Sequence, residues 1–205
     1  MFQVQSLWLG TVCKCGLNAN CDLTGAFIMS NTMRLIMVLL SVLLLGPTAV
    51  AQTHQLPAAA VQKLNRRFPG WKFAEPSAEV QQFFKDQMKG ESPVAISGDF
   101  DGNRKRDYAV LIRHGYYFNT QRQPIGPRYY LIVFLRRDEH YKMHVIKNPD
   151  GEYLCLAKKG TCDYNYDEQK EITYANDAIL TCIFEKAGSS YVYKNGKFVS
   201  FISSD

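Results

Sequence analysis

The sequence contains few of the residue patterns on which catalytic sites are usually built. Only four of its 205 residues are histidine, and it shows no recognisable Ser-His-Asp, Cys-His, H-E-x-x-H or glycine-rich phosphate-binding motif. His140 and His144 are the two closest histidines, and on a strand they would stand about 13 Å apart, too far to share a metal ion. These absences favour a protein that is not an enzyme. A small secreted hydrolase whose site no motif reveals is the alternative.

The chain also lacks an apolar run long enough to cross a bilayer, which takes about 20 residues. Its longest apolar segment is Leu35–Leu45. Arg34 precedes this segment and the small-x-small sequence AVA follows it at 49–51, an order typical of a secretory signal peptide. We therefore predict a signal peptide at residues 33–51, cleavage before Gln52, and a periplasmic or secreted protein without a stable membrane span.

Residues 1–32 have no clear hydrophobic periodicity, although they contain three of the six cysteines. Signal peptides do not usually follow such a segment, and Met29 or Met33 would each give a conventional start. We interpret residues 1–32 as an over-extended gene start or an unstructured preface. The 154 residues from Gln52 to Asp205 then form a single globular domain, long enough to bury a sizeable core.

The sequence has no strong excess of positive charge. Residues 1–51 contain two basic residues and one acidic residue, so the chain from Gln52 carries a formal net charge of +4, against +5 for the whole sequence. A nucleic-acid-binding protein would be expected to carry a stripe of basic residues, and a net charge of +4 is too small to indicate one. We therefore expect no nucleic-acid partner, and instead an unknown protein or another component of the cell envelope.

Only three cysteines follow the predicted cleavage site: Cys155, Cys162 and Cys182. An exported protein enters an oxidising compartment, where disulfides form. Cys155 and Cys162 flank a Lys-Lys-Gly turn, and a hairpin of that length can place two sulfurs opposite each other. We therefore predict a Cys155–Cys162 disulfide, with Cys182 paired to either of these cysteines as the alternative.

Helical periodicity is confined to the start of the predicted domain. Leu56–Phe68 has apolar residues at helical spacing, and Ser77 is a good N-cap for a second amphipathic helix. The pattern from residue 93 onwards is that of strands, and Arg128–Arg137 is apolar on both faces, as in a central strand. Asn195-Gly196 marks a tight hairpin. The sequence predicts an α+β fold: two N-terminal helices packed on a meandering antiparallel sheet of about seven strands.

One predicted connection is longer than an ordinary hairpin loop, which takes about 2–5 residues. Gly115–Pro127 begins with three adjacent aromatic residues, Tyr116, Tyr117 and Phe118, and continues with polar, proline and glycine residues. Binding residues are frequent on such loops, and aromatic anchors dominate interface energies. We predict that these three aromatic residues form a contact loop. A mobile insertion whose tyrosines cover the sheet edge is the alternative.

The most informative stretch is GDFDGNRKRDYAVLI, at residues 98–112. Oxygen-bearing side chains recur there on alternate positions, beginning with Asp99, and one main-chain carbonyl falls in the same series. Calcium takes about six to eight oxygen ligands, and a compact loop supplies them at alternate positions. The spacing predicts a calcium site with five ligating residues: Asp99, Asp101, Asn103, Lys105 through its carbonyl, and Asp107.

This loop resembles the calcium hairpin of FG-GAP/VCBS-type repeats, written D-x-[DN]-x-[DN]-G-x-x-D with a strand on each side. The resemblance occurs once in the chain and implies a calcium site between two strands. It departs from the pattern at the sixth position, where Arg104 replaces a glycine that would allow positive φ; the glycine stands earlier, at Gly102. The alternative is a salt-bridged turn in which Asp99 and Asp101 cap backbone amides and pair with the arginines at 104–106.

The chain from Gln52 onwards also resembles small uncharacterised exported bacterial proteins. The resemblance rests on RFPGWK at Arg67–Lys72, on the D-x-D-G loop, and on the closing segment Phe184–Asp205. It implies no known activity. We expect an exported non-enzymatic binding or interaction domain of unknown ligand, stabilised by weak calcium binding, with the small secreted hydrolase as the alternative.

Overall fold

The computed structural model describes residues 56–88 and 91–203, so the predicted preface and signal peptide lie outside the described residues. Within these ranges the chain forms two helices and eleven strands. The helices are α1 (Ala58–Arg67) and α2 (Ala78–Asp86). The strands are β1 (Lys72–Phe73), β2 (Ala95–Gly98), β3 (Asp107–Phe118), β4 (Pro124–Arg137), β5 (His140–Lys147), β6 (Tyr153–Ala157), β7 (Cys162–Asn165), β8 (Lys170–Thr173), β9 (Ala178–Ile183), β10 (Lys186–Lys194) and β11 (Lys197–Ser203).

The strands form two antiparallel sheets. In the first sheet β1, β3, β4 and β5 follow one another, and β2 also pairs with β3. The second sheet has the order β6-β9-β10-β11-β7-β8. In the first sheet, hairpins connect β2 to β3, β3 to β4 and β4 to β5. In the second sheet, by contrast, β6 pairs with β9, which lies well beyond it along the chain. The second sheet therefore depends on pairings between distant segments.

The two sheets pack face to face, with a helix on each outer side. Leu111 and Leu131 of the first sheet meet Leu154 and Ile179 of the second in one buried cluster. Alternate residues of the same strands point away from this cluster, because successive side chains of a strand face opposite sides. They pack under α1 in the first sheet and under α2 in the second. The order of layers is helix, sheet, sheet, helix.

Several local predictions are confirmed. α1 lies within the predicted segment 56–68, and the hydroxyl of Ser77 accepts a hydrogen bond from the N–H of Val80 at the start of α2. Residues 131–135 of β4 are all fully buried, as expected of a central strand covered on both faces. Asn195 and Gly196 form the turn between β10 and β11. Neither of the two described helices is long and apolar enough to cross a membrane.

The predicted α+β class is wrong, because the fold is mostly β. Strands account for 52% of the described residues and helices for 13%. There are two sheets with eleven strands in place of one sheet with about seven, and the helices are separated by β1 and do not lie at the N terminus of the chain. The strands missed include β1, β7 and β8, which have two to four mostly polar residues and no alternating apolar pattern. Their place is set by neighbouring strands and not by their own propensity.

The predicted Cys155–Cys162 disulfide is not formed. No two cysteine sulfurs in the described part of the chain lie at bonding distance, so the alternative pairing with Cys182 is not formed either. The expected hairpin is missing: β6 pairs with β9, whereas β7 pairs with β8 and β11. Cys155 and Cys182 are buried in the cluster under α2, while Cys162 is exposed.

Candidate metal centre and contact surface

The predicted calcium loop joins β2 to β3. Gly98 pairs with Asp107 across the hairpin, and residues 99–106 form the loop between them. Phe100 is fully buried in the core between the two sheets. A strand pair at its base and an apolar side chain in the core therefore hold the loop in place.

Three carboxylates meet inside this loop. Asp99, Asp101 and Asp107 each place one carboxylate oxygen within 4.8 Å of the others. Calcium–oxygen distances are about 2.3–2.6 Å, so two oxygens on opposite sides of one ion stand about 5 Å apart. The cluster can therefore hold a metal ion. The side chains of Asp101 and Asp107 are fully buried, so their charges need a cation or a proton nearby.

One oxygen of Asp99 is left without a partner. Its Oδ2 accepts a hydrogen bond from the N–H of Arg104 at 2.9 Å. Its Oδ1 is buried and accepts no hydrogen bond from any described residue. A buried polar atom without a partner is costly, and such an atom calls for a specific explanation. A cation bound between the three carboxylates would supply the missing partner.

Asp107 is the most strongly perturbed of the three carboxyl groups. Burial raises its pKa to about 6, and the negative charge of Asp101 adds to this rise. The hydrogen bonds that Asp107 accepts from the main-chain N–H groups of Arg136, at 2.7 Å, and Phe100, at 2.9 Å, offset the rise only in part. A metal ion bound here would therefore compete with a proton on Asp107 near neutral pH.

The side chains of Asn103 and Lys105 bind partners near the end of β4. The Asn103 side chain accepts a hydrogen bond from the N–H of Lys105 at 2.7 Å and donates to the carbonyl of Arg136 at 2.9 Å. The ammonium group of Lys105 forms an ion pair with Asp138 at 2.8 Å. The structure thus brings together the three carboxylates among the five predicted ligands.

The alternative of a salt-bridged turn is realised in part. Asp101 accepts a hydrogen bond from the N–H of Asn103 at 3.2 Å, and its Oδ2 lies 2.7 Å from a guanidinium nitrogen of Arg137. This arginine comes from β4 and not from the basic triplet at 104–106. Arg137 is ion-paired with one of the three carboxylates, and the basic residues Arg104, Lys105, Arg106 and Lys158 line the same pocket as Asp99.

Two residues of the loop have positive φ. Arg104 has φ of +64°, so the left-handed conformation expected at the sixth position is present although the residue is not glycine. Gly102 also has positive φ, and a Cβ there would lie 2.4 Å from Oδ1 of Asn176. Any other residue at that position would adopt a strained backbone conformation and would displace the Asn176 side chain.

The contact between this loop and the second sheet was not predicted from the sequence. Asp177, immediately before β9, accepts a hydrogen bond from the N–H of Asp99 at 3.1 Å and donates its own N–H to the carbonyl of Asp99 at 3.2 Å. Burial opposes ionisation of Asp177, but hydrogen bonds from the N–H groups of Lys159 and Asp99, together with the ammonium group of Lys158, outweigh it and lower its pKa. No local signal joins positions so far apart in sequence. The loop is thereby tied to both sheets.

The predicted contact loop is an extended hairpin. β3 and β4 continue to pair beyond the rest of the sheet, with Tyr116 opposite Pro127 and Phe118 opposite Pro124. Asn119 and Gln123 close the turn through two hydrogen bonds, at 2.9 and 2.8 Å. We call residues 113–129 the arm; no other described strand pairs with its residues 116–127.

The arm exposes large apolar side chains. Tyr116 is 56% exposed, Phe118 57% and Ile125 68%. Tyr117 instead packs back, because its hydroxyl donates a hydrogen bond to Asn148 and the guanidinium of Arg128 lies 5.2 Å from its ring centre. Two of the three predicted contact residues are therefore available to a partner. Ile125 was missed, since an isolated isoleucine between proline and glycine gives no pattern.

No protein-family model matches the chain, and no curated protein or solved structure matches it.

Proposed function

We propose that the protein is an exported, non-enzymatic binding domain whose arm contacts a component of the cell envelope. The observation that carries this proposal is the exposure of Tyr116, Phe118 and Ile125 on a two-stranded ribbon. Exposed apolar side chains grouped on one projecting element mark interaction sites. The ladder and the hydrogen-bonded turn fix the ribbon before binding, so little conformational entropy is lost on contact.

The aspartates give no support to the alternative of a hydrolase. Asp107 has the raised pKa that a catalytic carboxyl group often shows. Its side chain is nevertheless fully buried, and each of its two oxygens accepts a hydrogen bond from a main-chain N–H group. A carboxyl group held in this way lies out of reach of a substrate. Its burial and the nearby charge of Asp101 account for the shift.

We further infer that the Asp99 loop binds calcium and stabilises the base of the arm. The donors are carboxylate oxygens, which suit a hard cation, and the loop resembles the FG-GAP/VCBS-type hairpin in sequence, with positive φ at Arg104 where that pattern has glycine. Magnesium fits less well, because it demands near-ideal octahedral geometry and keeps several of its waters. Asp107 begins β3 and is hydrogen-bonded to the N–H of Arg136 near the end of β4. An ion here would fix the two strands whose far ends form the arm.

The binding function can be tested by co-sedimentation with an envelope fraction. The chain starting at Gln52 contains all four apolar clusters, which are built from residues 56–203 alone. We expect this chain to sediment with the fraction and the double variant Tyr116→Ser, Phe118→Ser to stay in the supernatant. Tyr166→Ser is the matched control, because Tyr166 is 53% exposed but belongs to the other sheet, where it lies in the β7–β8 turn.

The control variant should sediment like the unaltered chain. Circular dichroism of the three proteins would show whether the exchanges leave the fold intact. A double variant that is folded and still sediments fully would contradict the proposal, and so would failure of the unaltered chain to bind.

A further inference from the structure

The arm carries positive charge and no negative charge. Between Asp107 and Asp138 the sequence contains no aspartate or glutamate, and the arm contains three arginines: Arg113, Arg122 and Arg128. Arg113 is ion-paired with Glu75 at the base of the arm. Arg122, in the turn, and Arg128 are exposed. A partner that complements this element must therefore be negatively charged.

The apolar surface of the arm is small. Four of its large side chains are exposed, with Tyr129 at 38% as the least exposed of them. An aromatic side chain presents about 150–250 Å² in full, so four side chains at these exposures offer roughly 400 Å². A stable protein–protein interface takes about 800 Å² from each partner, of which somewhat more than half is apolar. The apolar area of the arm would suit a protein or a lipid partner, so it is the positive charge of the arm that favours an anionic lipid surface.

We propose that the arm binds the surface of an anionic lipid bilayer. This inference rests on the proposed function and names the partner for the same surface. Tyr116, Phe118 and Ile125 enter the interfacial region, where aromatic and aliphatic side chains are stabilised. Arg122 and Arg128 lie at the level of the headgroup phosphates. The polar tips of the tyrosines and arginines stay in contact with water or headgroups while their apolar parts are buried.

The backbone of the arm suits this position. Its strands pair with each other from Tyr116–Pro127 to Phe118–Pro124, so most main-chain polar groups on the facing edges already have partners. Pro124 and Pro127 have no N–H group that would need one. The main-chain groups on the two outer edges of the ribbon have no strand partner, so the ribbon lies at the hydrated level of the headgroups and only its apolar side chains go deeper.

The test uses the chain from Gln52 and vesicles in which about a third of the lipids are phosphatidylglycerol, the rest being phosphatidylcholine. We expect flotation with these vesicles and at least tenfold weaker binding to pure phosphatidylcholine. The double variant Tyr116→Ser, Phe118→Ser should lose binding. Arg122→Gln should weaken it about fivefold, whereas Lys194→Gln, the same loss of charge on the β10–β11 turn, should change it less than twofold. Raising the salt from about 0.1 M to about 1 M should weaken binding strongly.

Three results would overturn the lipid assignment: no flotation, equal binding to both kinds of vesicle, or flotation unchanged in the double variant. These failures can be told apart from failure of the binding function itself. If the chain sediments with the envelope fraction through Tyr116 and Phe118 but ignores anionic vesicles, the arm binds a protein or a glycan and the lipid proposal alone is wrong. If it binds neither, both proposals are wrong.

Discussion

Replacing Asp107 with asparagine should change how the stability of the protein depends on pH. The pKa of Asp107 is raised from the ordinary 3.8 to about 6 in the folded protein. A rise of about two units corresponds to about 3 kcal/mol, at about 1.36 kcal/mol per unit. Asparagine has nearly the same shape and cannot ionise. It can accept only one of the two main-chain hydrogen bonds that Asp107 accepts, but that loss does not vary with pH, so the pH dependence of the difference isolates the ionisation of this carboxyl group.

The direction follows from proton linkage. Between about pH 4 and pH 6 the folded state holds the Asp107 proton more tightly than the unfolded chain does. The stabilisation is therefore complete below about pH 4 and is lost as the pH rises through about 6. Without metal, the free energy of unfolding of the unaltered protein, relative to Asp107→Asn, should fall by about 3 kcal/mol from pH 4 to pH 7.5.

Urea unfolding in the presence of a calcium chelator measures this difference, provided that the m-value stays the same in both proteins. Other titrating groups are common to the two proteins and cancel. Adding calcium at about pH 7.5 should recover part of the lost stability in the unaltered protein, since the ion takes the place of the proton between the carboxylates. A difference that does not vary with pH, or that grows as the pH rises, would refute the assignment of a raised pKa to Asp107.

Three further predictions concern the cysteines, Arg104 and the predicted signal peptide. In the folded protein a thiol reagent should modify exposed Cys162 quickly. It should modify Cys155 and Cys182 only after unfolding, because both are buried, and a mapped Cys155–Cys162 disulfide would contradict the fold. Arg104→Gly should raise the free energy of unfolding by about 1 kcal/mol, since Arg104 has positive φ; a clear loss of stability would show that its side chain matters more than its backbone. Mass spectrometry of protein from its native host should find a chain beginning at Gln52, and retention of residues 33–51 would sink the prediction of export.

The features that were predicted correctly from the sequence are those that depend on a few neighbouring residues. The N-cap at Ser77, the turn at Asn195-Gly196 and the buried run Leu131–Leu135 each depend on local conformation or on periodicity. The clustering of Asp99, Asp101 and Asp107 belongs to the same group, because a short hairpin loop holds all three. A single segment of chain is enough to bring these side chains together.

The features that were not predicted from the sequence depend on contacts between segments that are distant along the chain. No pattern near Cys155 shows that β6 pairs with β9, and the expected disulfide failed for that reason. Arg137 and Asp177 complete the surroundings of the Asp99 loop from 30 or more positions away. The residues after Gly115 were predicted as a loop because proline and glycine are frequent there, yet the ladder of β3 continues through them to Phe118. Pairing with the opposite strand outweighed local propensity.

Calcium titration calorimetry of the chain from Gln52 measures whether the Asp99 loop holds an ion. We expect one calcium ion per chain, with a dissociation constant of about 10⁻⁴–10⁻³ M and weaker binding of magnesium. Asp99→Asn should abolish the calcium signal, because it removes the charge beside the buried oxygen that lacks a partner. Asp138→Asn, the same exchange at an exposed position outside the cluster, should leave it unchanged. The absence of calcium binding up to about 10 mM, well above this range, would show that the Asp99 loop is not a calcium site. Binding that survives Asp99→Asn would show that the ion binds elsewhere.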